Sequence, residues 1–397
     1  MASVRDRVVE SPTSPVLPRV LFVTRNLPPL VGGMERLNEH IWSALTARGD
    51  AVLVGPRGCI SCLPAGLATY EAPAGSIGAY LGKAAVHALR AARRYRPKLV
   101  LAGSGVTAPL ALMAARAARA RAVVYLHGLD IVAKHVAYRA LWLPAIRRCD
   151  AFLVNSSATA RLAAEVGIPS RTIRIVHPGT DLVGDDPATG PAFRYRHGFG
   201  SDPLILSVGR LTPRKGLVEF VTRALPLVVA AHPTVRLIVV GTDARAAINA
   251  GAVSEATRIL AAAANAGLSR HVVLLGGVDD LELDAAYRAA NVLVFPVLAL
   301  PGDVEGFGMV AIEAAARGLP TVGFRVGGVI DSVDDGKSGN LVDPENYGAL
   351  ATCLVARLAT KDHADDVAAC RRHAARFGWD RFAEQVLAAL ADAAHAQ

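Results

Sequence analysis

The chain has 397 residues, more than one hydrophobic core usually holds, and 52% hydrophobic with 19% charged residues predicts two globular domains. Its longest apolar stretches, such as 225–231, are too short to span a bilayer, and residues 1–17 lack the apolar core of a signal peptide. We expect those 17 residues to form a loose tail. The five cysteines do not indicate a disulfide framework, so we expect a cytoplasmic protein.

Charge is unevenly distributed along the chain. Residues 1–180 contain 23 lysines and arginines against 9 acidic residues, a net of +14. Residues 181–397 contain 20 against 25, a net of −5. A basic half joined to a slightly acidic half indicates that one domain faces an anionic partner.

Strands and helices alternate through the first half. Apolar runs predict buried strands at 19–24, 51–54, 67–71, 98–102, 121–126, 151–154 and 173–176. Helical patterns lie between several of these strands. This alternation is typical of a doubly wound parallel sheet.

A glycine turn follows the first strand. Gly32 and Gly33 lie in it, and a helix is expected to begin at Met34 or Glu35 and to end at Arg48. A glycine turn that opens a helix directs free backbone N–H groups to one spot, which favours an anion. Tight turns also use glycine for other reasons, so the pair alone leaves both interpretations open.

The next helix, predicted at 78–95, has a basic face. Lys83, His87, Arg90 and Arg94 fall within about 60° of one another on a helical wheel. Such a stripe is compatible with binding to an anionic surface. An ordinary solvated face is the alternative in a chain so rich in arginine.

His127 directly follows the strand at 121–126. Open α/β sheets bind ligands at the carboxyl ends of their strands, so His127 is a candidate ligand contact. A structural histidine is the alternative.

Residues 182–203 are rich in Gly, Pro and Asp and lack periodicity, so we interpret them as an interdomain linker. The alternation restarts with a strand at 204–208, followed by a basic turn at 209–216 that contains Arg210 and Lys215. Lysine is scarce, with 6 residues against 37 arginines, and Lys215 lies beside a glycine at a strand end. This placement favours a phosphate contact, and an ordinary surface turn is the alternative.

The second half continues in the same pattern. Strands are predicted at 235–240, 271–275 and 291–295, and helices at 217–231, 281–290, 346–360, 363–377 and from Trp379 to about Ala391. Asp279 and Asp280 are expected to cap the helix at 281–290. A metal site there is the weaker alternative, because these acids lack convergent partners.

A second glycine turn, at 305–308, opens a helix predicted from Met309 to Arg317, and a strand follows at 321–324. Two carboxylates frame this turn: Glu305 within it and Glu313 in the helix. Glu313 lies among Ala and Ile, where an unpartnered charge is unfavourable. A ligand hydroxyl or a buried arginine would satisfy it, and both interpretations remain open.

Four motifs occur in order: GG-M-E at 32–35, HGLD at 127–130, GRLTPRKG at 209–216 and EGFGMVAIE at 305–313. Together they resemble the family-4 retaining glycosyltransferases of the GT-B fold. That group includes sucrose-phosphate synthase-like, phosphatidylinositol mannosyltransferase-like and cell-envelope polysaccharide enzymes. The resemblance covers residues 18–380 approximately, and the two glutamates seven residues apart in the last motif are its most specific element.

The resemblance implies an α/β fold of two Rossmann-like, doubly wound parallel-sheet domains that face a central cleft. The segments would be an N-terminal acceptor-binding domain at 18–181, the linker at 182–203, a C-terminal nucleotide-sugar-binding domain at 204–377, and a helix at 378–397 that crosses back to the N-terminal domain.

The resemblance also implies residue roles. Arg210 and Lys215 would bind the diphosphate leaving group. Glu305 would bind a donor-sugar hydroxyl, Glu313 the ribose, and His127 the sugar near its anomeric carbon. The two turns and the start of the second helix would complete the donor site through Gly32, Gly33, Gly306, Phe307, Gly308, Met309 and Val310.

The implied reaction transfers a hexose from a GDP- or UDP-sugar with retention of configuration, by front-face attack, without a metal or other cofactor. The lack of a convincing D-x-D motif fits this expectation. No nucleic-acid partner is expected. The alternatives are a glycosyltransferase with a soluble acceptor, a non-catalytic nucleotide-sugar-binding protein, and an epimerase or phosphorylase on the same fold.

The charge distribution adds a hypothesis about the acceptor. The basic stripe lies in the half that carries the +14 charge and that, by resemblance, binds the acceptor. We therefore expect a peripheral enzyme at the inner face of the plasma membrane, acting on a lipid-linked or phospholipid acceptor in cell-envelope glycan synthesis.

Overall fold

The computed structural model describes residues 17–243, 254–360 and 364–395. The predicted tail therefore lies, except for Leu17, outside the described residues. Two β-sheets organise the chain, with seven strands in the first and six in the second. Helices lie between most successive strands, so the α/β fold class predicted from sequence is confirmed.

The first sheet has the strand order β3-β2-β1-β4-β5-β6-β7. Pairings of β1 with β2 and β4, of β2 with β3, of β4 with β5 and of β6 with β7 are parallel. Most of these strands are buried on both faces, which explains their continuous apolar runs. Their bounds are β1 Val20–Val23, β2 Ala51–Pro56, β3 Ala68–Ala72, β4 Leu99–Ala102, β5 Arg121–Leu126, β6 Ala151–Val154 and β7 Ile173–Ile175.

The second sheet repeats this order as β10-β9-β8-β11-β12-β13, and all five of its pairings are parallel. In each sheet the first three strands are added toward one edge, and the next strand then pairs on the other side of the first strand. The point between these two strands is called the switch point, and doubly wound sheets bind ligands there. The strands are β8 Leu204–Val208, β9 Arg236–Val240, β10 Val272–Gly276, β11 Val292–Phe295, β12 Thr321–Phe324 and β13 Gly339–Val342.

Sixteen α-helices are described. They are α1 Gly33–Arg48, α2 Ile77–Tyr95, α3 Ala108–Ala118, α4 Leu129–Val132, α5 Leu143–Ile146, α6 Ser157–Glu165, α7 Thr189–Arg196, α8 Leu217–Arg223, α9 Leu225–Ala231, α10 Glu255–Asn265, α11 Asp280–Ala289, α12 Met309–Ala316, α13 Val329–Ser332, α14 Tyr347–Ala359, α15 Ala364–Ala374 and α16 Trp379–His395. In the described part of the chain, no helix is both long and apolar enough to cross a membrane.

Two local differences from the sequence prediction have physical reasons. The helix predicted at 217–231 is divided at Ala224, because Pro226, in the first turn of α9, lacks an N–H donor. Strand β13 was not predicted, since it is short and half polar. Asp279 caps α11 as expected, accepting a hydrogen bond of 2.8 Å from the Glu282 N–H.

The segment interpreted as a linker, 182–203, contains the helix α7. Phe193 on this helix is fully buried and packs with Leu204 and Leu206 of β8. Its apolar residues are too few to show a helical period. Part of the segment therefore belongs to the core beside the second sheet, and its role as an interdomain linker remains a prediction.

The chain divides into two compact units. The first contains the described residues up to Val124, together with Arg148–Ala151 and the described residues from Ala383 onward. The second contains Tyr125–Arg147 and the described residues of Phe152–Phe382. The domain limits inferred from sequence remain a prediction.

Candidate functional site

The sheet order brings two loops of the second unit together. Strands β8 and β11 are parallel neighbours at the switch point of the second sheet, so both end at the same edge. The basic turn 209–216 leaves β8, and the segment 296–308 leaves β11. The sequence-predicted residues Lys215 and Glu305 lie on these two loops.

Backbone contacts fix the two loops to each other. The Leu298 N–H donates a 2.9 Å hydrogen bond to the Arg214 carbonyl. Gly216 has φ +66°, and a side chain there would collide with the Pro296 carbonyl. The turn therefore needs glycine at 216, both for its conformation and for its close approach to the β11 loop.

Four charged side chains meet between these loops, and we call them the Glu305 cluster: Arg214, Lys215, Asp303 and Glu305. Glu305 Oε2 accepts hydrogen bonds from both Lys215 Nζ, at 2.9 Å, and Arg214 Nη1. Arg214 Nε lies 2.8 Å from Asp303 Oδ1. All four side chains are at most 15% exposed. The cluster is thus a buried ion network with two charges of each sign.

The network sets the ionisation of its members. Burial alone would raise the pKa of the Glu305 carboxyl, but the ammonium of Lys215 and the guanidinium of Arg214 outweigh it and lower the pKa to about 2. Burial lowers the pKa of Lys215, and the Glu305 carboxylate opposes this effect. Glu305 is therefore a carboxylate throughout the physiological pH range.

Arg210 differs from the clustered residues. Its side chain is exposed, and it makes no hydrogen bond or ion pair with any residue of the described ranges. Its charge contributes to lowering the pKa of Lys215, so the two cations act on the same region. The structure therefore brings together Arg210, Lys215 and Glu305, which the sequence had identified separately.

The glycine turn at 306–308 leads directly into α12. Gly308 precedes the helix with φ +90°, and no side chain caps this end. Phe307 is buried, with its ring stacked 5.2 Å from that of His177. Phe307 thus anchors the turn by its side chain, while the first N–H groups of α12, at Met309 and Val310, have no intrahelical acceptors.

His127 lies beside this turn. Its N–H donates a 3.0 Å hydrogen bond to Asp130 Oδ2, and its carbonyl accepts one of 3.3 Å from Asn155 Nδ2. A side chain at Gly306 would collide with the His127 carbonyl. The glycine therefore allows the loop that carries Glu305 to pack against the end of β5.

Glu313 lies on α12, two turns after the glycine turn. Its Oε2 accepts a 2.9 Å hydrogen bond from the Tyr287 hydroxyl. Arg317, one turn further, instead pairs with Asp284 at 2.8 Å. The hydroxyl partner on Glu313 is thus a tyrosine of the protein, and its predicted role toward a ribose remains a prediction.

The glycine turn of the first unit, at Gly32 and Gly33, differs from the turn at 306–308 in the charge of its surroundings. Gly32 precedes α1 without a side-chain cap, and Gly33 is exposed. The carboxylate of Glu35 lies next to Gly32 and accepts a 2.7 Å hydrogen bond from Asn26 Nδ2. The helix N-terminus predicted as an anion site therefore has an acidic side chain of its own beside it.

The four residues of the basic stripe on α2 differ in their exposure to solvent. Lys83, Arg90 and Arg94 are exposed, as predicted. His87 is half-buried, with its ring 5.4 Å from that of Tyr70. Its burial lowers the pKa of the imidazole, and the positive charges of Lys83 and Arg90 lower it further. The exposed face is thus formed by the lysine and the two arginines.

Sequence reasoning missed Arg214 and Asp303. Arg214 is adjacent to Lys215 in the same basic turn, and Asp303 lies two residues before Glu305. Arg214 lies within the GRLTPRKG motif, but the resemblance gave it no role, and Asp303 lies just before the EGFGMVAIE motif. Which acid pairs with which base depends on the meeting of two loops 90 residues apart.

The architecture and the charged cluster at the second switch point define a class, the GT-B type of α/β protein. The chain is similar in fold to Anabaena Alr3699/HepE, solved in complex with UDP-glucose, with a TM-score of 0.77 and 20% identity, covering 94% of this chain and 100% of that one. It is also similar to sucrose-phosphate synthase from Thermosynechococcus elongatus, with a TM-score of 0.68 and 21% identity, covering 92% and 96%.

Two family models match the sequence, Glycosyltransferase Family 4 over residues 31–183 and Glycosyl transferases group 1 over residues 192–368. The chain is 33% identical over 284 residues to a GDP-mannose-dependent alpha-(1-6)-phosphatidylinositol monomannoside mannosyltransferase of Mycolicibacterium smegmatis, covering 69% of this chain and 71% of the relative. It is 32% identical over 254 residues to a D-inositol 3-phosphate glycosyltransferase of Acidothermus cellulolyticus, covering 62% and 54%.

The chain therefore belongs to the family-4 glycosyltransferases and has the GT-B fold, as the motifs predicted. It is a glycosyltransferase.

Proposed function

We propose that this enzyme transfers mannose from GDP-mannose to an inositol-containing phospholipid at a membrane surface, with retention of anomeric configuration. The observation that carries the proposal is the Glu305 cluster. It lies beside an exposed arginine and an uncapped helix N-terminus, at the switch point of the second sheet.

The donor diphosphate would lie between the basic turn and α12. Arg210 is exposed, and it is close enough to Lys215 for its charge to lower the pKa of that ammonium. The first N–H groups of α12 add partial positive charge. In glycosyl transfer from a nucleotide sugar, negative charge develops on the departing diphosphate. Fixed cations in a poorly hydrated site stabilise that charge effectively, so we propose that no metal ion is required.

Glu305 would orient the sugar. Both cations contact its Oε2, while its Oε1 accepts no hydrogen bond from any residue of the described ranges. A carboxylate with a strongly lowered pKa accepts hydrogen bonds and does not donate them at neutral pH. Oε1 therefore fits a sugar hydroxyl. His127, one residue past β5 and packed against the turn, would contact the sugar near the anomeric carbon.

Glu313 would hold the ribose. The Tyr287 hydroxyl donates a hydrogen bond to Oε2 of this carboxylate and so fixes its orientation, and a carboxylate can accept hydrogen bonds from ribose hydroxyls. In this arrangement the nucleoside lies along α12, and the diphosphate lies at the helix N-terminus. The contacts to the base are not specified by these residues, so the choice of GDP rests on the relatives.

Two relatives support the choice of substrates by their names. One is named for GDP-mannose and a phosphatidylinositol monomannoside, and the other for D-inositol 3-phosphate. Both acceptors contain inositol and phosphate. We choose the lipid, because the alignment with the first relative covers more of both chains.

The basic face of α2 supports a membrane location. Lys83, Arg90 and Arg94 are exposed on one helix, and Ile77 and Val86 on the same helix are 51% and 60% exposed. Basic residues near an anionic bilayer contribute about 1 kcal/mol each, and exposed apolar side chains add to this attraction. We propose a peripheral location at the inner leaflet of the plasma membrane.

The direct test is transfer from labelled GDP-mannose in the presence of EDTA. Purified enzyme is given vesicles with phosphatidylinositol mannoside, soluble inositol 3-phosphate, or no acceptor, and a parallel series contains UDP-glucose. We expect labelled lipid, released GDP and an α-linked product in the first reaction.

The other results would change the proposal in defined ways. Transfer only to soluble inositol 3-phosphate would replace the lipid acceptor. Transfer only from UDP-glucose would replace the donor. A β-linked product contradicts retention, and loss of activity in EDTA contradicts metal independence. Binding of GDP without turnover on any acceptor would favour a non-catalytic nucleotide-sugar-binding protein.

A further inference from the structure

The Glu305 cluster contains an apparent conflict. Lys215 would bind the donor diphosphate, yet in the structure its ammonium is bound to Glu305 at 2.9 Å. Both groups are buried, at 14% and 13% exposure. If Lys215 turned toward a diphosphate, Glu305 would lose a counter-ion in a site where an unpaired carboxylate is very unfavourable.

Arg214 resolves this conflict. Its Nη1 binds the same Glu305 oxygen as Lys215, so Glu305 has two cationic partners. Arg214 is itself fixed, by Asp303 at 2.8 Å from its Nε and by the Leu298 N–H on its carbonyl. Its guanidinium is therefore held on both sides by carboxylates, whereas Lys215 is attached to the cluster by one ion pair.

We infer that Arg214 is a positioning residue, held by Asp303, which serves as the fixed counter-ion of Glu305 and thereby allows Lys215 to transfer its charge to the donor diphosphate. This inference rests on the proposed function, since it presupposes that Lys215 binds a diphosphate. It gives roles to Arg214 and Asp303, to which the sequence motifs had assigned none.

The inference makes a specific prediction for Arg214→Gln. In this variant Lys215 is the sole counter-ion of Glu305 and stays with it, so GDP affinity should fall about tenfold or more. Removing the competing carboxylate should reverse the loss. The double variant Arg214→Gln/Glu305→Gln is therefore expected to regain GDP affinity to within about threefold of wild type, although it will not transfer sugar.

A double-mutant cycle gives an independent readout. Arg214→Gln acts only through the competition between Glu305 and the diphosphate for Lys215, so in a Lys215→Ala/Glu305→Gln background, which leaves no unpaired carboxylate at 305, it should cause little further loss of GDP affinity. Arg210→Ala removes a separate phosphate contact. In the same background it should therefore lower GDP affinity by as much as it does in the wild type. A residue needed only for folding would show neither this pattern nor the rescue.

The experiment is calorimetric titration of GDP into the wild type and these variants, with thermal melting to verify folding. If Arg214→Gln does not fold, Arg214→Gln/Asp303→Asn replaces it, because this pair removes both charges of an ion pair and leaves no orphaned carboxylate at 303. The same loss, and the same rescue by Glu305→Gln, are expected.

Two results would overturn the inference. If Glu305→Gln does not restore the affinity lost in the Arg214 variant, then Arg214 contacts the phosphate itself. If the Arg214 variant binds GDP as well as wild type, Lys215 does not need a second counter-ion at Glu305. Wild-type protein that fails to bind GDP would instead contradict the donor site on which both proposals rest.

Discussion

Cations of the same kind occur in two very different settings in this enzyme. On α2, Lys83, Arg90 and Arg94 project into solvent from one helix face. Beside Glu305, Lys215 and Arg214 are at most 14% exposed and share one carboxylate oxygen. The first set is a surface charge, and the second is part of a closed and nearly neutral network.

The difference lies in what each set can stabilise. Exposed charges are screened over about 8 Å at physiological ionic strength, so they attract a surface weakly and collectively. Buried charges act on a ligand at contact distance with little screening, and their geometry is fixed before the ligand arrives. We therefore propose that α2 associates with a surface and that the Glu305 cluster and Arg210 act on the donor.

The largest effect should come from the cations of the donor site. Lys215→Ala or Arg210→Ala is expected to lower turnover by about 10²-fold or more while the fold is retained, because each removes charge from the departing diphosphate. Arg210→Lys should also be damaging, since a bidentate fork is lost. Steady-state kinetics and thermal melting test this prediction.

Lys337→Ala is the matched control, because Lys337 is 71% exposed and lies in the same unit. Its kinetics should equal those of wild type. Near-wild-type turnover in both Lys215→Ala and Arg210→Ala would remove the basic turn from the active site and erase the contrast with α2.

A second prediction concerns stability in acid. The pKa of Glu305 is lowered from an ordinary value of 4.5 to about 2, so its ion pairs stabilise the fold fully above about pH 4.5 and are lost as pH falls toward 2. This contribution is on the order of 3 kcal/mol at neutral pH. The difference in unfolding free energy between wild type and Glu305→Gln should shrink over that pH range.

Urea unfolding at a series of pH values measures this difference. A difference that stays constant between pH 6 and pH 2.5 would mean that Glu305 is not the ionised centre of the cluster. Exposed pairs such as Arg325 with Asp335 should give a much smaller acid-dependent difference when Asp335 is replaced by Asn.

The fold was predictable because its strands are buried and apolar. The bounds of β5, β8 and β12 match the apolar runs residue for residue, and α12 begins at Met309 as the glycine turn predicted. The helix α7 and the strand β13 were missed for the opposite reason. Each is short and mixed in polarity, so packing against the rest of the chain decides its conformation.

The candidate site was predictable in its motif residues and not in its pairing. The sequence identified Lys215 and Glu305, but it could not indicate that they bind each other or that Arg214 joins them. For Glu313 the sequence proposed an arginine or a ligand hydroxyl, and the structure shows a hydrogen bond from the Tyr287 hydroxyl, which the sequence had not proposed. Such pairings arise from tertiary structure, which periodicity and spacing do not encode.

A third prediction separates the two glutamates of the motif. Glu313→Gln should weaken GDP binding about tenfold, because it lies two turns along α12 where a ribose would lie. Glu305→Gln should leave GDP binding nearly unchanged and impair sugar transfer. Calorimetry with GDP alone tests this division, with the exposed Glu345→Gln as control. Equal losses of affinity in both variants would contradict it.

The smallest individual effects are expected on α2. Replacing Lys83, Arg90 or Arg94 by Ser should lower affinity for anionic vesicles about fivefold each, as expected for about 1 kcal/mol per charge. Binding should weaken with added salt and be absent with neutral vesicles. Co-sedimentation with liposomes measures it, and the triple variant of the exposed Arg161, Arg171 and Arg381 is the control.

An equal loss in that control would show that net charge, and not the α2 face, governs binding. No dependence on lipid at low salt would rule out the membrane location and favour a soluble acceptor.

The most direct test of the contrast between these two regions is calorimetric titration of GDP into three proteins: wild type, Arg210→Ala/Lys215→Ala, and the triple α2 variant Lys83→Ser/Arg90→Ser/Arg94→Ser. We predict that wild type and the α2 variant bind GDP with affinities within about twofold of each other, and that the double variant loses at least about 10²-fold. Undiminished binding by the double variant, or loss of binding by the α2 variant, would contradict the assignment of the donor site to Arg210 and the Glu305 cluster.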